Sequence, residues 1–218
     1  MLKLHGTPIS NFYCIAQQAL EEKGIAFEAV HVMANQEPDY LAMSPMGKIP
    51  ALETEHGFLT ETNVILEYLE EVQPAPALYP QDAFARAKVK QFIKVVEFYV
   101  ETPAHQMVPW LFGAAPLPEY VRETARPALE RGLAALSRLA TFAPWACGDR
   151  FTAGDIFLYR SVDMVAIMAR KFYDWDAVAT VPGLDEWRAR MAQRPQTRAV
   201  DNVSNAARQA ILKQTGRA

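Results

Sequence analysis

The feature that most constrains this chain is a change of periodicity across one proline-rich break, Gln73-Pro74-Ala75-Pro76-Ala77. Two prolines so close together continue neither a helix nor a central strand. Before the break, strand and helix signals alternate. Strand-like runs fall at 2–5, 26–32, 51–53 and 58–59, with helical patterns at 10–23 and 62–72 and an irregular or helical piece at 35–43. Gly24 closes the first helix, and Glu55-His56-Gly57 turns the last two strands into a hairpin. A right-handed crossover makes the first two strands parallel. The order βαβ then ββα is the thioredoxin-like arrangement. The sequence therefore predicts an α/β unit over 1–75, a linker over 76–83 and an all-α helical bundle over 84–218.

The helical part opens with a long pattern over 84–112, apolar at Val89, Phe92, Ile93, Val96, Val100 and Met107. Pro103 and Pro109 are expected to kink or end it. A second helix is expected over 119–142 with Pro127 inside it, and a third, highly apolar one over 152–171. Segments 184–191 and 197–213 complete the bundle. Thr152-x-x-Asp155 is a capping-box arrangement, with Asp in place of Glu or Gln. It reads as a folding element and not as chemistry.

Composition narrows the function classes. The chain has 218 residues, half of them hydrophobic and 22% charged, which is ordinary for a globular protein with a sizeable core. A net charge of −3 gives no support to a nucleic-acid surface. Cys14 and Cys147 form no CxxC or Cys/His pattern, and the histidines at 5, 31, 56 and 105 lack metal spacing. Neither a disulfide framework nor a metal site is expected. The first residues show no basic segment followed by an apolar one, and no apolar run approaches membrane-spanning length. The cytoplasm is the expected compartment.

The candidate chemistry lies in the first unit. In Met46-Gly47-Lys48-Ile49-Pro50-Ala51-Leu52, the Ile49-Pro50 bond is a candidate cis bond, a geometry found almost only before proline. A cis bond there turns the Ile49 N–H and C=O outward, where an extended peptide can pair with them. Glu61-Thr62 opens a helix, and a helix start offers N–H groups to an anion. Together these parts suit a short acidic peptide. Ser10, at the junction of strand and helix, reads either as a helix cap or as a hydroxyl for chemistry. Cys14 reads as a small buried hydrophobe or as a mixed-disulfide former. Lys48 reads as a solvated lysine or as the partner of a carboxylate.

Four segments in order, Gly6-Thr7-Pro8-Ile9-Ser10, Leu20-Glu21-Glu22-Lys23-Gly24-Ile25, Glu61-Thr62 and the stretch 148–156, resemble the cytosolic glutathione S-transferases over nearly the whole chain. The likeness is to members, bacterial ones among them, with serine at the nucleophile position. It implies the glutathione transferase fold, a thioredoxin-like glutathione-binding domain followed by an all-α one. It implies that Ser10 hydrogen-bonds the glutathione sulfur and favours its thiolate. Cys14 stands where many relatives carry Arg or Lys. Glu61 would take the γ-glutamyl ammonium, Thr62 its carboxylate, Ile49 and Pro50 the peptide, and Lys48 the glycyl carboxylate, with Asn35 and Gln36 nearby. Tyr99, His105, Gln106 and Trp110 would wall the electrophile pocket, although the aromatic and methionine stripe they share with Phe98 and Met107 also reads as core. The implied activity is conjugation of glutathione to a small apolar electrophile in detoxification. Glutathione would be a co-substrate, no metal or redox cofactor is implied, and a homodimer is expected. The alternatives are a non-catalytic binding or regulatory protein of the same fold, and a glutathione-dependent isomerase or dehalogenase.

Overall fold

The structure, a computed structural model, describes residues 1–111, 113 and 115–214, the side chains of Leu212 and Gln214 excepted. The first unit begins β1 Leu2–Gly6, α1 Asn11–Lys23, β2 Phe27–His31, α2 Pro38–Met43, β3 Ala51–Thr54, β4 Gly57–Leu59 and α3 Thr62–Val72. The four strands form one sheet in the order β2-β1-β3-β4. β1 runs parallel to β2, with Gly6 opposite His31, and antiparallel to β3, with His5 opposite Ala51. β3 is antiparallel to β4, with Leu52 opposite Leu59. This register places the end of β1, the start of β3 and the end of β4 at one edge of the sheet. The helices α1 and α3 pack together, and Leu4, Ile15, Leu20, Leu52, Ile65, Leu66 and Leu69 make a core with no exposure.

By contacts, the first unit comprises Met1–Leu78 together with the segment from Gln193, and the second is Tyr79–Ala192. The last helix, α9 Pro195–Gln214, thus groups with the α/β unit and not with the bundle expected over 84–218. The reason lies on α1. The buried Gln18 Nε2 donates to Thr197 Oγ1 at 2.8 Å, and Arg194 Nε donates to Glu22 Oε1 at 3.1 Å. The proline-rich segment is likewise held. The Lys23 side chain is fully buried and its Nζ lies 2.6 Å from Glu70 Oε2. It also donates to the carbonyls of Gln73 at 2.7 Å and Pro76 at 2.9 Å. Glu70 Oε2 in turn accepts from the Leu78 N–H at 3.0 Å. A buried charge needs such a full set of partners.

In the second unit the expected helix over 84–112 is four pieces: α4 Ala83–Val95, a π-helical turn Val96–Glu101, α5 Thr102–His105 and a 3₁₀ turn Val108–Trp110. Its expected end at Phe112 lies outside the described residues. Pro103 follows the π-turn and can give no N–H to the Tyr99 carbonyl one turn earlier, so the expected kink takes the form of that π-turn, and Pro109 lies in the 3₁₀ turn with which the segment closes. The π-turn backbone packs closely against α6 (Glu119–Leu139) at Gly132. A Cβ there would fall 1.8 Å from the Tyr99 carbonyl oxygen, so α6 admits the π-turn backbone only at a glycine. α6 passes through Pro127 without interruption and stops at Leu139, short of the expected 142, because Ala140 is extended and Phe142 has φ 48°. The unit continues with α7 Ala153–Tyr173, a 3₁₀ turn Val178–Thr180 and α8 Leu184–Ala192. The capping box at α7 forms as expected. Thr152 Oγ1 accepts from Gly154 N at 3.2 Å, and Asp155 Oδ2 accepts from Thr152 N at 2.9 Å. Asp155 Oδ1 also accepts from Ala146 N at 2.7 Å and Trp187 Nε1 at 2.9 Å. Burial pushes the Asp155 carboxyl upward against the pull of these bonds.

Candidate active site

Topology assembles the candidate residues of the first unit. Thr7–Ser10 leaves the end of β1, Lys48–Pro50 enters β3, and Thr60–Thr62 leaves the end of β4. The register brings all three segments to the same edge of the sheet. The loop after β2 joins them there. A Cβ on Gly47, whose φ is 64°, would fall 2.3 Å from the Asn35 carbonyl and 2.1 Å from Gln36 Nε2.

Ser10 is half-buried and caps α1, its Oγ accepting from Tyr13 N at 3.3 Å. A hydroxyl that accepts from the backbone still has its own proton to donate. Capping and thiolate binding are therefore compatible, and the choice left open by the sequence is not exclusive. Cys14 is 1% exposed, and its Sγ donates to the Pro8 carbonyl at 3.2 Å. It is a buried hydrophobe with a satisfied thiol, which disfavours the mixed-disulfide reading. Tyr13, three residues from Ser10, is 2% exposed and packs against Gly6. Burial pushes its phenol up to about 12, so it stays protonated in the core.

The Ile49–Pro50 bond is cis. Among the described residues, neither the N–H nor the C=O of Ile49 makes a hydrogen bond. The neighbouring Lys48 backbone is fixed on both sides: its carbonyl accepts from Ser44 Oγ at 2.7 Å and Tyr40 OH at 2.9 Å, and its N–H donates to Ser44 Oγ at 3.1 Å. Its side chain is exposed. Pro50 is buried.

Glu61 carries the signal that sequence reading missed. Its backbone sits at φ 62°, ψ 110°, a region that an L residue rarely adopts. It stands at the N-cap of α3, makes no side-chain cap hydrogen bond and is exposed. By contrast α1, α4 and α7 are each closed by a side chain, Ser10, Asp82 and Thr152. Thr62 follows, 5% exposed, in the first helical turn. No composition or periodicity signal marks a positive φ on a glutamate, since only Gly and Asn advertise it.

Tyr99, His105, Gln106 and Trp110 belong to the second unit. Tyr99 lies on the π-turn and is 58% exposed; His105 and Gln106 are exposed and Trp110 is half-buried. His105 Nδ1 lies 3.2 Å from Oε1 of the fully buried Glu101 one turn earlier. Of the stripe, Met107 is core while Phe98 and Tyr99 face solvent. Among the described residues no cluster of His, Cys, Asp and Glu has metal-ligating geometry. No helix among them is long and apolar enough to cross a membrane.

The first unit is thus thioredoxin-like, with its candidate groups at one sheet edge, and an all-helical unit follows. Residues 4–77 match the family model of the glutathione S-transferase N-terminal domain, and residues 119–190 that of the C-terminal domain. The chain is 40% identical over 195 residues to a glutathione S-transferase of Pseudomonas putida, covering 89% of each. It is 32% identical to a maleylacetoacetate isomerase of Pseudomonas aeruginosa, over 64% of this chain and 70% of that one. A solved glutathione S-transferase from Rhodospirillum rubrum superposes with a TM-score of 0.74 at 26% identity, covering 92% of this chain and 91% of that one. The chain belongs to the glutathione S-transferase family of enzymes.

Proposed function

We propose that this protein conjugates reduced glutathione to a hydrophobic electrophile through a stabilised thiolate. The observation that carries the reading is the convergence of Ser10, Ile49–Pro50 and Glu61–Thr62 at one edge of the sheet. In this reading the Ile49 N–H and C=O pair with the cysteinyl part of the tripeptide. Glu61 takes the α-ammonium. Thr62, through its hydroxyl and its N–H at the positive end of α3, takes the α-carboxylate. Lys48 reaches the glycyl carboxylate. Ser10 donates its hydroxyl proton to the sulfur while the capping bond to Tyr13 N persists. A hydrogen bond to a charged acceptor is worth about 1.5–3 kcal/mol, which lowers a thiol by roughly 1–2 pKa units. The upper end of that range makes a mostly protonated thiol a largely ionised nucleophile near neutral pH. Tyr99, His105, Gln106 and Trp110 wall the electrophile site. We place the protein in the cytoplasm as a homodimer that needs glutathione as co-substrate and no metal or redox cofactor.

The isomerase likeness favours a second reading, in which the thiolate adds to one carbon of a conjugated C=C, the resulting single bond rotates, and the thiolate leaves as the double bond re-forms. Both readings use the same thiolate. The test is retention on immobilised glutathione, followed by a panel of aryl halides, epoxides and conjugated cis-enones. Conjugates released into solution support the transferase, and cis-to-trans conversion without glutathione consumption supports the isomerase. Binding with no turnover on any of them would favour a non-catalytic protein of this fold, and absence of binding would remove glutathione from the site.

A further inference from the structure

The two ends of the proposed glutathione site are built differently. The γ-glutamyl end has a buried hydroxyl and a helix start. Thr62 is 5% exposed in the first turn of α3, and no side chain caps that helix, so its first N–H groups are open to a carboxylate. Glu61 stands beside them at the N-cap.

At the glycyl end the polar side chains are spent on the loop itself. Gln36 Nε2 donates to the carbonyl of Asn35 at 3.4 Å and to that of Met46 at 3.3 Å, which takes up both of its amide protons. Asn35 Nδ2 donates to the Met33 carbonyl at 3.0 Å, and Asn35 Oδ1 accepts from Glu37 N at 3.0 Å. Asn35 and Gln36 thus hold the loop after β2 in shape and keep a single amide proton between them for a ligand. The charged side chains between Met33 and Pro50 are Glu37, Asp39 and Lys48, all exposed. Glu37 is the N-cap residue of α2 and Asp39 lies in its first turn. A ligand carboxylate at this end meets one exposed cation with two acidic groups in the adjoining turn. An exposed ion pair of this kind changes affinity by about fivefold or less.

Resting on the glutathione reading, we propose that the site recognises the γ-glutamylcysteinyl unit and leaves the glycyl carboxylate nearly unread. Its thiol substrates then include γ-glutamylcysteinyl peptides whose C-terminus is neutral, as an ester or amide, or extended by a further residue. Such a thiol keeps the ammonium and α-carboxylate for Glu61 and Thr62, the peptide groups for Ile49 and the sulfur for Ser10. It gives up only the contact with Lys48.

The test is isothermal titration of the full chain with three thioethers: S-methylglutathione, its glycyl ethyl ester, and S-methylcysteinylglycine, which lacks the γ-glutamyl residue. The ester should bind within about fivefold of S-methylglutathione. S-methylcysteinylglycine should bind at least about tenfold more weakly, since it loses charge-assisted hydrogen bonds at the γ-glutamyl end. Lys48→Ala should bring the affinities for S-methylglutathione and its ester together, because the glycyl charge then has no cation to meet. An ester more than about tenfold weaker than S-methylglutathione would overturn the proposal, and it would leave the glutathione reading standing. A dipeptide that binds as tightly as S-methylglutathione would also overturn it. Absence of binding by all three would overturn both, because glutathione would then have no place at this edge of the sheet.

Discussion

Replacing Glu61 by glycine is expected to strengthen the fold and weaken glutathione binding at once. At φ 62°, ψ 110° a residue with a Cβ is strained, and such strain costs about 1–3 kcal/mol. Glycine removes the part of this strain that the Cβ causes, but its more flexible unfolded chain takes back about 0.5–1 kcal/mol. The net gain is about 0–2.5 kcal/mol, or up to roughly 10 °C in Tm at about 2–4 °C per kcal/mol for a chain of this size. Glu61→Ala keeps a Cβ on the same backbone and should gain nothing. Both variants lose the carboxylate proposed to hold the ammonium, which should weaken glutathione by about 1.5–3 kcal/mol, or roughly 10- to 150-fold in Kd. Differential scanning calorimetry and isothermal titration on the two variants separate the effects. If the glycine and alanine variants melt together, the backbone at this position is not strained. If both bind glutathione like the wild type, the segment does not hold the peptide.

Two further substitutions test the framework around the site. Thr152→Ala should lower stability by about 1 kcal/mol, and up to about 2 kcal/mol, through loss of the α7 cap, while the folded protein keeps its kcat and glutathione affinity. A variant that melts normally and has lost turnover would place Thr152 in the chemistry. Lys23→Met should cost about 3–5 kcal/mol, because it leaves the Glu70 carboxylate, 5% exposed, without its buried cation. Urea unfolding should show that adding Glu70→Gln recovers part of the loss, and a Lys23→Met protein as stable as wild type would mean that the clasp contributes nothing.

Much of the fold was legible because its signals are local. Gly24, found at φ 64°, ends α1 where a glycine is expected, and the apolar period of α3 gives its bounds without error. The buried face of the segment from Val89 to Met107 was readable from spacing alone. What failed depends on other parts of the chain. The close packing of the π-turn on α6 needs Gly132, which lies far along the sequence and which no local signal pairs with Tyr99. The grouping of α9 with the first unit rests on Gln18 and Glu22, polar residues whose partners no period announces. At the candidate site the cis bond before Pro50 and the role of Ser10 as a cap were readable, because proline and serine have few uses at such positions. The positive φ at Glu61 was not, since nothing in its residue type marks it. Phe98 and Tyr99 show the same limit: on a π-turn the helical period slips, and two apolar rings turn to solvent.

The pKa of the glutathione thiol bound to wild type, to Ser10→Ala and to Cys14→Ala is the most direct measurement of whether this fold activates sulfur through Ser10. Ultraviolet absorbance of the thiolate across a pH series reports it. Wild type should hold the thiol well below its free value. Ser10→Ala should raise it by roughly 1–2 units and lower kcat, with glutathione affinity nearly unchanged. Cys14→Ala should leave the thiol where it is, because Cys14 is buried and bonded to the Pro8 carbonyl. A Ser10→Ala protein whose bound thiol titrates like wild type, or a Cys14→Ala protein that has lost all activity while Ser10→Ala is normal, would contradict the assignment of Ser10.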